Sequence, residues 1–215
     1  MTALDHSVAS PPTPALSKAQ DLDTFHALVQ DLSLILGPSS GIDSEDVDPR
    51  ELQSLMERYT SNPSEWQKYA LGDYSRNYTR NLAYTSLDPR EGLTHPRTDR
   101  LASHANAHCV MKVLKGTLKE TLFSWPDPDL AKEGKPAPPQ VKKETLYHEN
   151  GVTYMSDQLG LHRISNPDPE NVAVSLHLYT PPNAEYFGCQ IFDEKTGKAS
   201  HVSQCNFFSV VGHKL

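Results

Sequence analysis

Between His104 and Pro126 the chain reads HANAHCVMKVLKGTLKETLFSWP, and its first six residues hold two histidines and a cysteine. Imidazole and thiolate are the side chains that ligate transition metals. The stretch is therefore either a metal site or a strand that carries histidines. On a regular strand His104 and His108 share a face, whereas Cys109 lies an odd number of residues from His104. A bulge or turn is needed to aim both His104 and Cys109 inward. SLHLYTPP, from Ser175 to Pro182, poses the same choice. Ser175, His177 and Tyr179 share one face, and Val174, Leu176 and Leu178 share the other. The polar face belongs either to solvent or to the lumen of a barrel. GLHRISN adds His162, two residues after Gly160, with Asn166 four further on. RNYTRNL puts Tyr78 and Arg80 on one face if it is extended. A buried arginine there could clamp a carboxylate, because its planar fork donates two parallel hydrogen bonds.

These residues need a scaffold. DLDTFHALVQDLSLIL carries apolar residues at helical spacing from about Leu22 to Leu36. SEDVDPRELQSLMERYTS predicts a second helix, with Ser44 or Asp48 as cap and Pro49 in its first turn. A third is expected over Pro63 to Ala70. The character then changes. Strands are predicted on both sides of Gly116, followed by the Pro/Lys-rich loop DPDLAKEGKPAPPQVKKE. A strand, a turn at Asn150-Gly151 and another strand are expected in ETLYHENGVTYMSD, then a strand in AVSLHLYTPP and a hairpin around Thr196-Gly197. Helices first and short strands later predict an α+β, mainly β chain built on an antiparallel barrel. Ala83 to Ser103 does not fit, since it reads as a charged, proline-bearing loop where a barrel wants a strand.

The chain has 215 residues, expected as one domain over 21–215 after a flexible Pro/Ser/Ala-rich tail over 1–20. The net charge of −7 argues against a nucleic-acid partner. No apolar run reaches the roughly 20 residues of a membrane helix. The N-terminus carries no apolar signal-peptide core, which predicts a cytoplasmic protein. Cys109, Cys189 and Cys205, three in number and far apart, read as reduced thiols rather than a disulfide framework.

Together the motifs resemble a known family. His104, Cys109 and Gly116 follow the second half of the first cupin metal motif, with cysteine where glutamate is usual. His162 and Asn166 follow the end of the second. With YTRNL, LGLHR and VSLHLYTPP, the chain resembles the cysteine dioxygenases, in particular those of fungi, over roughly Leu52 to Leu82 and His104 to the C-terminus. The resemblance implies a cupin jelly-roll barrel with N-terminal helices, acting as a monomer. It implies one Fe2+ per chain, and L-cysteine and O2 as substrates of a dioxygenase that forms 3-sulfinoalanine (cysteine sulfinic acid), towards taurine. It makes His104 and His162 iron ligands, Arg80 the partner of the substrate carboxylate and Tyr78 its neighbour. It makes Cys109 and Tyr179 a thioether crosslink, with His177 and Ser175 behind the tyrosine. Coordination to the metal would strip the substrate thiol of its proton.

One departure matters. The family pattern is His-x-His, and the position two residues before His104 is Ala102 here. The abrupt change over 83–103, between well-matched flanks, looks like a skipped exon or a retained intron. His95 and His108 are the nearby histidines that could substitute, although the family counterpart of His108 is not a ligand. The departure predicts weak iron binding and weak turnover. The competing readings are another cupin activity such as a different small-thiol oxidase, in which a substrate lacking a carboxylate would have no use for Arg80, and a cupin that binds a small molecule without turnover.

Overall fold

The computed structural model describes residues 23–37, 47–73, 75–76, 79–83, 92–95 (main chain only), 101–202 and 207–215. Tyr78, Ser44, Cys205 and the expected tail lie outside them.

Three helices come first. Helix α1 (Thr24–Leu36) starts at Asp23, whose carboxylate accepts the His26 N–H. Its apolar stripe of Phe25, Leu28, Val29, Leu32 and Leu36 is buried. Helix α2 (Pro49–Arg58) is capped by Asp48, with proline at its start as expected. Helix α3 (Pro63–Trp66) is shorter than the sequence suggested and passes into turns after Trp66.

The strands follow: β1 (Thr79–Leu82), β2 (Gly92–His95), β3 (Leu101–Ala102), β4 (His108–Lys115) and β5 (Thr117–Phe123). After the short helix α4 (Pro128–Lys132) come β6 (Val141–His148), β7 (Val152–Met155), β8 (Leu161–Ser165) and β9 (Val174–Thr180). The short helix α5 (Asn183–Tyr186) precedes β10 (Cys189–Phe192), β11 (Ala199–Val202), β12 (Ser209–Val210) and β13 (His213–Lys214). One sheet has the order β13-β12-β1-β2-β9-β4-β7 and the other β11-β10-β3-β8-β5-β6. All pairings are antiparallel except β1 with β12. This is the expected α+β, mainly antiparallel β architecture, with helices on the N-terminal side.

Side-chain alternation sorts the core. Val110 and Leu114 of β4 and Val174, Leu176 and Leu178 of β9 face outward and form one cluster with the three helices. Met111, Val113, Leu118, Ile164 and Ala173 fill the space between the sheets. Cys109 of β4 and the inward polar residues of β5, β8 and β9 therefore collect at the remaining interior space. The 83–103 segment, read as a loop, contains β2 and β3. Strand β2 pairs with β1 and β9, although GLTH is too short for alternation to reveal it. Tertiary pairing overrode a weak local signal.

Candidate active site

Strands β4 and β9 bring the first group together. Cys109 and Tyr179 are direct partners across the pair, and the register places Met111 opposite His177. Cys109, His177 and Tyr179 thus share the inward face. The Ser175 hydroxyl lies 2.9 Å from His177 Nε2, and the Tyr179 hydroxyl lies 3.4 Å from His177 Nδ1. Cys109 Sγ is 3.9 Å from the same Nδ1. The SLHLY polar face is a lumen face, with Ser175 fully buried and His177 6% exposed.

A turn brings in His104. Residues 104–107 close through the Ala107 N–H and the His104 carbonyl at 3.0 Å. Ala105 and Asn106 have φ of 52° and 62°, the left-handed region that disfavours alanine. Asp157 offsets that cost, its carboxylate accepting the backbone N–H of His104 at 2.7 Å and of Asn106 at 2.9 Å. This is the turn that the spacing of His104 and Cys109 demanded. It also separates His104 from His108, which is on the helix-facing side of β4 and whose Nδ1 lies 2.6 Å from the Tyr154 hydroxyl. His95 holds the register position opposite Thr79 on β1.

His162 arrives on β8, and its ring centroid is 4.6 Å from that of His104. The His104 ring is in turn 6.0 Å from that of Tyr179. Arg80 on β1 sets its guanidinium 5.4 Å from the Tyr179 ring and 5.2 Å from the Phe207 ring. Ala102 on β3 is the direct partner of His162, so it occupies the same sheet face.

The electrostatics keep the His177 and His104 imidazoles neutral. Burial pushes the His177 pKa down to about 3, and His162, Arg80 and His104 lower it further. Burial also lowers that of His104, against the hydrogen bond and charge of Asp157. Burial raises the Cys109 thiol to about 12 despite Tyr179 and Arg80, so it is protonated at neutral pH.

Two carboxylates were missed by sequence reasoning. Glu120 Oε1 lies 2.9 Å from His162 Nδ1, and its Oε2 accepts from the Thr153 hydroxyl at 3.2 Å. Asp157 Oδ1 lies 3.5 Å from His104 Nδ1, at the edge of hydrogen-bond reach. Glu120 had a readable signal, as a charge on the Leu118, Glu120, Leu122 face of β5. Asp157, in a turn after β7, had none. Among the described residues no three His, Cys, Asp or Glu side chains stand together as a metal-holding set.

Comparison with known proteins decides the family. The model of the family "Cysteine dioxygenase type I" matches residues 39–195. The chain belongs to the cysteine dioxygenase type I family. The sequence is 38% identical to cysteine dioxygenase type 1 of Danio rerio over 177 residues, 80% of this chain and 82% of that protein. It is 40% identical to that of Homo sapiens over 166 residues, 74% of this chain and 76% of that one. The fungal affinity read from the motifs is a finer statement than these matches make. Among solved structures, hydroxypropylphosphonic acid epoxidase from S. wedmorenis aligns with 72% of this chain and 96% of its own. The identity is 12% and the TM-score 0.35, too low to carry an argument. The family's jelly-roll cupin fold is what the two antiparallel sheets form.

Proposed function

We propose that this chain is a thiol dioxygenase that converts L-cysteine and O2 to 3-sulfinoalanine in the cytoplasm, acting as a monomer with one ferrous iron. The supporting observation is the convergence of His104, His162, Cys109, His177, Tyr179 and Arg80 at one interior end of the barrel. Two histidines fit a metal. A carboxylate only accepts hydrogen bonds, so Glu120 places the His162 imidazole proton on Nδ1, while His104 Nδ1 lies 3.5 Å from Asp157 Oδ1 without a hydrogen bond. Neither Nε2 hydrogen-bonds another described residue, which leaves its lone pair for a cation. The third family position is Ala102, which has no donor, so the fit extends to two ligands.

Ferrous iron, when bound, supplies the thiolate activation and the O2 reduction that these side chains do not. Both oxygen atoms end on sulfur, which loses four electrons to O2, so no other reductant is needed. Arg80 binds the substrate carboxylate and thereby selects a short amino-acid thiol. Neutral His177 has one donor nitrogen and one acceptor, shared between Ser175 and Tyr179, and so fixes the phenol toward the substrate. Cys109 and Tyr179 form a thioether, the C–S bond replacing one S–H and one ring C–H, with two protons and two electrons passing to O2.

The test compares L-cysteine with cysteamine, the same thiol without a carboxylate, in the parent and Arg80→Ala. Truncating one partner of a buried charge pair costs about 2 kcal/mol or more. Arg80 is only half-buried, so about 1.4 kcal/mol is a fairer figure and corresponds to roughly a tenfold rise in KM for L-cysteine. Cysteamine oxidation should be poor in both. Equal oxidation of cysteamine and L-cysteine by the parent would refute the assignment of Arg80 and favour an oxidase of another small thiol.

A further inference from the structure

Two buried carboxylates stand beside the proposed ligands without being ligands themselves. Glu120 projects from β5 between the sheets, and its side chain and that of His162 are each 10% exposed. Its second oxygen is held by Thr153 of β7, in the opposite sheet. An ionised carboxylate in such surroundings is costly unless its lone pairs are filled. Here His162 and Thr153 supply two partners. Asp157, in the turn after β7, holds His104 through the backbone instead, closing the 104–107 turn through the N–H groups of His104 and Asn106.

We propose that Glu120 and Asp157 are positioning residues, Glu120 holding the His162 ring through Nδ1 and Asp157 holding His104 through its backbone turn, so that metal retention in this chain depends on two carboxylates that do not touch the metal. The inference rests on the metal reading above. Its physical basis is general: a carboxylate on the far ring nitrogen fixes the tautomer, locks the ring rotation and raises the basicity of the ligating nitrogen. A two-histidine site depends on this more than a three-histidine one, because each ring carries a larger share of the geometry. The glutamate link also joins the two sheets through Thr153, so His162 is referenced to the strands that carry Cys109 and Tyr179.

Co2+ is a suitable probe, since its visible bands report coordination geometry without turnover. Three variants are titrated with Co2+, in the present chain and in an Ala102→His background: Glu120→Met, Glu120→Gln and Asp157→Ala. Metal-free melting curves are recorded for each. The expected result is a 10- to 100-fold weaker Co2+ affinity for Glu120→Met. Part of it should be recovered in Glu120→Gln, whose amide oxygen still accepts from Nδ1, and the bound-state spectrum should shift. A Glu120→Met protein that melts lower yet binds Co2+ with the parent's affinity and spectrum would show a purely structural role and overturn the inference. If Glu120→Met gives no folded protein, Asp157→Ala decides by the same criterion. Failure of the parent to bind Co2+ in both backgrounds overturns the metal reading itself, an outcome distinct from parent-like binding by the variants.

Discussion

Restoring an imidazole at position 102 should raise metal affinity by a calculable amount. Ala102 is half-buried on β3, paired on one side with Ile191 and on the other with His162. Its direct pairing with His162 puts a histidine there on the ligand face. Four-ligand zinc sites bind with about 10–16 kcal/mol, which is roughly 3 kcal/mol per ligand. Ferrous iron lies lower in the affinity series, so the smaller end of that range applies. Against this, adding a ring at a half-buried alanine costs about 1–2 kcal/mol in displaced packing. At about 2.5 kcal/mol for the added ligand, the net gain is about 0.5–1.5 kcal/mol, or roughly 2- to 13-fold in affinity. The assay is anaerobic Fe2+ titration of the parent, Ala102→His and Ala102→Gln, the last matching the bulk without an imidazole. Ala102→His alone should gain. If the parent already binds as tightly as Ala102→His, another donor completes the site and the argument from Ala102 is wrong. Recruitment of His95 would then be exposed by His95→Ala, whereas His108 is already committed to Tyr154.

The thioether should appear only after turnover. A tryptic digest of protein supplied with iron, L-cysteine and air should contain the Cys109 and Tyr179 peptides joined, lighter by two hydrogens than their sum. Separate peptides after repeated turnover would count against the site. Asp157→Asn should lower unfolding free energy by roughly 1–3 kcal/mol at neutral pH, because an amide offers one acceptor oxygen where the carboxylate offers two. Burial raises the Asp157 pKa, but the nearby His104 imidazole and the hydrogen bonds from the Asn106 and His104 N–H groups outweigh it, and the folded value is depressed. A depressed carboxyl stabilises above its unfolded pKa, and that stability is lost as pH falls through the folded one. The gap between parent and variant in urea melts should therefore hold above about pH 5 and narrow below about pH 4. A gap independent of pH would contradict the charge argument.

The sequence carried the fold class and the parity of its strands. Alternation in SLHLY separated Ser175, His177 and Tyr179 from Val174, Leu176 and Leu178 because a strand buried on both faces still has a period of two. The need for a turn between His104 and Cys109 was likewise visible from parity alone, and 104–107 supplies it. What parity could not reveal was the partner of that turn. Asp157 is 53 residues away from His104 in sequence, and only tertiary contact joins them. Strand β2 was unreadable for a related reason, since GLTH forms because β1 and β9 leave a place between them. Gly116, with φ of 77°, was legible as the turn between β4 and β5, because the left-handed region is open to glycine.

The most direct test of the central claim is the fate of oxygen on sulfur. The iron-loaded chain is incubated with L-cysteine under 18O2, and the products are analysed by mass spectrometry beside a His104→Ala control. The expected product is 3-sulfinoalanine carrying two 18O atoms, formed slowly by this chain, faster by Ala102→His, and not above background by His104→Ala. Sulfinate with one or no 18O atom, or equal yields from the parent and His104→Ala, would contradict a dioxygenase centred on His104 and His162.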